Sequence, residues 1–173
     1  MLTILVSYGA IWALSRWMDS PASSLHLAPL ALAVGVAVAS GGLRGFDREL
    51  DRTAAISWPP LRTLHVTAIG VVVVGALAAV QSIGGYQLVS NEVVLRDGIG
   101  LTGLAALGVT VLGTQLAWVP PVVLTVVTML VPPADDAWTH VITWLVQPSD
   151  VTAAAVAAVV LGLGGTLAYV AVG

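Results

Sequence analysis

VTAAAVAAVVLGLGGTLAYVAV, residues 151–172, carries no charged side chain. A helix crossing the hydrocarbon core of a bilayer needs about 20 mostly apolar residues, within a range of about 17–25. This segment meets that requirement, and five others approach it: Leu2–Trp17, Leu25–Leu43, Leu61–Ile83, Gly98–Trp118 and Leu116–Val131. Backbone polar groups in lipid must be satisfied within the segment, and the period-2 alternation of barrel strands is absent, so the spans are expected to be α-helices. The expected fold is an all-α, polytopic bundle of six spans forming one domain over residues 1–173.

Composition points the same way. Of 173 residues, 58% are hydrophobic and 9% charged, with a mean hydropathy of +0.98. A soluble domain carries about a quarter charged residues, so this chain has too few to solvate its own surface. No basic stripe exists for nucleic acid, which excludes that partner. Cysteine is absent, which removes disulfides, thiolate metal sites and thiol redox chemistry. All six basic residues are arginine, and with the alanine and valine excess this suggests a GC-rich bacterial genome. The apolar stretch Met1–Leu14 has no basic leader, so it is expected to be retained as the first span.

Charge sets the expected orientation. Arg44, Arg48, Arg52 and Arg62 cluster between the second and third spans, while Arg16 and Arg96 lie on the other side. The positive-inside rule makes the arginine-rich segment cytoplasmic, and with six spans both termini as well. The expected location is the bacterial cytoplasmic membrane. Trp17, Trp118, Trp138 and Trp144 fall near span ends, where aromatic belts sit.

Small residues every four positions mark faces where helices approach closely in lipid. Such ridges run through Ala31, Gly35 and Ala39; through Gly98, Thr102, Ala106, Thr110 and Thr114; and through Ala154, Ala158, Gly162 and Thr166. Each is expected to face the chain's own bundle or a second subunit.

Residues 47–57 have the charge density of a water-exposed helix, with Phe46, Leu50 and Ala54 along one face. Arg48 can reach Asp51, and Glu49 can reach Arg52, across one turn. Pro59 and Pro60 follow Trp58 and stop that helix. A tethered helix that receives force from a motor and a solvated loop both fit this pattern. Arg96 and Asp97 stand where the fourth span enters the membrane, and read as an interfacial pair at a tight hairpin. His26, His65 and His140 are scattered, and Asp135 and Asp136 read as a solvated loop. No metal cluster, hydrolase elbow or phosphate-binding loop occurs, so no catalytic residue, metal or cofactor is expected in this chain.

The stretch FDRELDRTAAISWPPLRTLH (46–65), with LRDGIGLTGLAALG (95–108) and LAWVPP (116–121), resembles the small six-helix permeases of actinobacterial ATP-binding-cassette transporters. Glu49, Asp51, Arg52, Thr53, Ala54 and His65 match a segment those proteins carry after their second span. Arg96, Gly100, Leu101, Gly103, Leu104, Leu116, Ala117, Trp118 and Pro120 match the start and end of their fourth. Asp97 departs from the pattern, which has asparagine there. The resemblance covers about a third of the chain. It implies an exporter subunit with a separate ATPase and a second permease subunit, identical or related, as partners. It also implies that Phe46, Arg48, Glu49, Leu50, Asp51 and Arg52 contact the ATPase. A structural or regulatory membrane subunit that lines no path is the alternative.

Overall fold

The computed structural model describes residues 21–41, 58–84, 88–132 and 136–172. The first apolar stretch, the coupling candidates Phe46 and Arg48–Arg52, and Asp135 lie outside the described residues. Within them, regular structure is entirely helical: α1 (Pro21–Ser40), α2 (Trp58–Gly84), α3 (Asn91–Leu112), α4 (Val119–Leu130), α5 (Ala137–Ile142) and α6 (Thr152–Val172). Three helical segments, Pro60–Ile83, Asn91–Leu112 and Thr152–Val172, are long and apolar enough to cross a membrane; two others, His26–Ser40 and Thr114–Leu130, are apolar but shorter.

The chain turns are built by specific side chains. Gln81 Oε1 accepts the Leu88 and Val89 N–H groups at 2.8 and 3.2 Å, which folds the chain back from α2 to α3. Ser90 then caps α3, its hydroxyl accepting the Val93 N–H at 3.4 Å. Gly113, at φ 85°, ends α3 with its N–H on the Val109 carbonyl. That backbone angle favours glycine because it has no Cβ. A single 3-10 turn, Thr114–Leu116, leads into α4, whose first turn holds Pro120, where a missing donor costs least.

Helix α3 is the centre, and its small residues decide what surrounds it. The ridge Gly98, Thr102, Ala106 meets α2: Gly98 lies against Val74, Thr102 against Gly70, and Ala106 shares a cluster with Val66. Numbers rise on one helix as they fall on the other, so the pair is antiparallel. The next stripe meets α6. Ile99 and Gly103 press on Gly162, Gly103 also on Leu161 and Gly165, and Tyr169 joins the cluster of Ala106 and Val109. Here numbers rise together, so α3 and α6 run parallel. A third face, with Val94, Leu101 and Ala105, joins Leu27, Ala28, Ala31 and Leu32 of α1 in the main core. Of the remaining ridge residues, Ala154 and Ala158 are buried, while Thr110 is half-buried and its hydroxyl donates to its own helix at Leu107.

Between α4 and α6 the chain does not run as a plain exposed loop. Asp136 caps α5 by accepting the Thr139 N–H and hydroxyl at 3.1 and 2.6 Å, contacts that hold its carboxyl below the usual carboxylate range. A 3-10 turn, Trp144–Val146, follows. Trp144 and Leu145 are buried, and the Thr128 hydroxyl of α4 ties the segment down through the Ile142 carbonyl at 3.0 Å. Trp144 is therefore a core residue rather than part of an aromatic belt, because Gly100 of α3 leaves room for its ring. Trp118 and Trp138 are exposed.

Candidate functional site

A charged pair sits inside the bundle where the sequence suggested an interfacial one. Helix α3 begins at Asn91, so Arg96 and Asp97 lie within its second turn, not at its mouth. The Arg96 side chain is 8% exposed and that of Asp97 is 0% exposed, with Arg96 Nε on Asp97 Oδ1 at 2.8 Å. Hydropathy windows dip at such a pair and displace the apparent helix start, whereas the Ser90 cap fixes the real one.

The rest of the guanidinium is spent on backbone. Nη1 donates to the Pro148 carbonyl at 2.9 Å, and Nη2 to the Trp144 and Gln147 carbonyls at 2.8 and 2.9 Å. Trp144 opens the 3-10 turn and Gln147 and Pro148 follow it. The Trp144 and Pro148 carbonyls also accept the Gln147 and Val151 N–H groups at 3.4 Å, so the guanidinium adds a second donor to each of these and serves the Gln147 carbonyl as well. Arginine suits the task because its planar fork presents five donors at fixed angles, always charged. Thr143 and Gln147 support the same turn: Gln147 Nε2 donates to the Thr143 hydroxyl at 2.8 Å, and that hydroxyl donates to the Thr139 carbonyl at 2.6 Å.

The chemistry open to this site is narrow. Four of the five N–H donors of Arg96 are used within the chain, one of them on Asp97, its charge partner. Asp97 Oδ2 is buried without a partner, as are Gln81 Nε2 and Thr102 Oγ1. Among the described residues no group of three or more His, Asp or Glu side chains could hold a metal ion. Arg96 acts as a positioning residue, fixing residues 143–148 against α3.

The small residues named from the sequence divide between two neighbours. Gly98, Thr102 and Ala106 are brought onto α2, and Gly162 onto Ile99 and Gly103 of α3. His26 and His65 are exposed and His140 is half-buried; they do not converge. Sequence reading missed the Arg96–carbonyl contacts and the burial of Trp144. Their one visible sign was a Trp followed shortly by Gln147 and Pro148 in a segment otherwise read as loop. No protein-family model, no characterised protein and no solved structure matches the chain.

Proposed function

We propose that the chain is a six-span permease subunit of an ATP-binding-cassette exporter, lying in the bacterial cytoplasmic membrane with both termini in the cytoplasm. The observation that carries this reading is the placement of the resemblance-bearing segment. Residues 46–57 lie between α1, which ends at Ser40, and α2, which begins at Trp58. A charged segment tethered at both ends by apolar helices can pass motion from a cytosolic ATPase to the bundle. Phe46 and Leu50 would anchor that contact, and Arg48, Glu49, Asp51 and Arg52 would set its register. A second permease subunit completes the transport path.

The reading is tested at the contact itself. Leu50→Ala with Arg52→Ala should abolish co-purification of the ATPase and transport, since interface anchors lose about 2 kcal/mol or more on truncation. The protein should still fold and reach the membrane. Retention of the ATPase at wild-type stoichiometry would remove the coupling role and favour a structural or regulatory subunit, a reading supported by the use of Arg96 in holding Asp97 and three backbone carbonyls. Topology is tested separately. The chain has no cysteine, so single cysteines at Ser57, Ser90 and Ser149 give clean reporters. An impermeant reagent outside the cell should label the last two only, and labelling at position 57 would reverse the orientation.

A further inference from the structure

Helices α2 and α6 both rest on α3, and a cavity of about 520 Å³ lies between them. Its floor is Thr102 and Gly103 of α3, one wall is α2 from Thr63 to Gly75, and the other includes Leu163 and Thr166 of α6. We propose that this slot holds one acyl chain of an anionic phospholipid, with the headgroup at Arg62. The proposal needs only that α2 and α6 face lipid, and stands or falls apart from the transporter reading.

Four features converge on that occupant. The slot opens between the exposed side chains Val71 and Leu163, on helices apolar enough to span a membrane, so lipid is what its mouth meets. Its lining is mostly apolar: the Thr166 hydroxyl is turned back onto the Gly162 carbonyl at 2.7 Å, and the Thr102 hydroxyl on the floor is the buried one without a partner. Polarity is graded along α2, with Thr63 and Thr67 near the N-terminal end and only Gly70, Val71, Val74 and Gly75 beyond. From Thr63 to Gly75 is twelve residues, about 18 Å of helix, close to the roughly 15 Å of hydrocarbon in one leaflet.

Charge selects the headgroup. Arg62 precedes the slot and lies one turn from Val66 on the same stripe of α2, half-buried, and it forms no ion pair among the described residues. Its long side chain can run along the helix and present the guanidinium at headgroup level. Arginines at such a depth favour anionic lipids about fivefold each.

The test uses the full chain in vesicles of phosphatidylcholine and phosphatidylglycerol at three to one, doped with either lipid carrying a photoreactive group near the end of one acyl chain. Adducts should concentrate on residues 63–75 and 162–167 and form about fivefold more from phosphatidylglycerol. Gly75→Trp fills the deep end of the slot from a position with open space around it, and should cut those adducts at least fivefold. Arg62→Gln should keep the adducts but erase the headgroup preference. Adducts spread evenly over the exposed faces of α2, α3 and α6 would overturn the site, as would yields unchanged by Gly75→Trp. Equal labelling by the two lipids in the wild type would overturn the anionic assignment.

Discussion

Arg96→Leu is expected to lower the melting temperature of the purified protein in mild detergent by roughly 10 °C or more. The substitution leaves the fully buried Asp97 carboxyl without its ion-pair partner, and breaking a buried pair from one side typically costs about 3–5 kcal/mol. It also removes the guanidinium donors of the Trp144, Gln147 and Pro148 carbonyls. Trp144 and Pro148 keep the Gln147 and Val151 N–H groups at 3.4 Å, so the main added cost is the Gln147 carbonyl, at about 1–3 kcal/mol for a buried acceptor left unpaired. For a chain of this length each kcal/mol corresponds to about 2–4 °C. Arg96→Lys should recover little, because an ammonium is a point charge that cannot serve Asp97 and three carbonyls together. Arg96→Leu with Asp97→Leu should recover part of the loss, since the unpaired buried carboxyl is gone while the guanidinium's bonds to residues 144–148 stay lost. Size-exclusion profiles after heating would read all three. Wild-type melting in Arg96→Leu would mean the segment 143–148 is held by something other than this fork.

Gly103→Ala and Gly164→Ala should move stability in opposite directions, although both add one methyl group to a helix. At Gly103 the new Cβ would collide with the Leu161 carbonyl and the Gly162 Cα of α6. Backbone cannot step aside as a side chain can, so the two helices would have to separate, at about 1–3 kcal/mol or more. Gly164 has nothing within 4 Å, and alanine there should gain up to about 1 kcal/mol of helix propensity. Gly165→Ala, which would meet the Gly103 carbonyl, should follow Gly103→Ala. Melting curves of the three variants in one detergent decide the matter; equal effects at 103 and 164 would place the α3–α6 contact elsewhere.

How much of this was legible depended on the kind of signal. Long apolar segments announced α2 and α6 to within a few residues, because hydropathy is summed over twenty positions and single errors average out. The four-residue ridge through Gly98, Thr102 and Ala106 marked a face, but not that α2 would occupy it; small residues permit close approach without naming the neighbour. Arg96 and Asp97 misled, since charge alone suggests water and only the distant carbonyls of residues 144–148 explain their burial. Likewise Trp144 matched the belt pattern by its place near a span end, and only Gly100, 44 residues earlier, shows why it turns inward. Contacts between parts far apart in sequence have no local signature. The segment 46–52, on which the functional reading turns, is legible as a charged motif and lies outside the described residues.

The parallel run of α3 and α6 has a consequence for the bilayer itself. If both cross it in the same direction, the chain must return between them, and the helical segment available for that return is Thr114–Leu130. Its seventeen residues make about 25 Å of helix against about 30 Å of hydrocarbon. Further along, Thr128 holds the Ile142 carbonyl and Arg96 those of Trp144, Gln147 and Pro148, and Trp138 is 77% exposed. A shortfall of about 5 Å, at a fraction of a kcal/mol for each ångström, would be met by thinning of the surrounding lipid. The membrane on that flank would then be dimpled, its headgroups drawn down toward Trp138, and a neighbour with an equally short flank would lower the cost of the dent by sharing it.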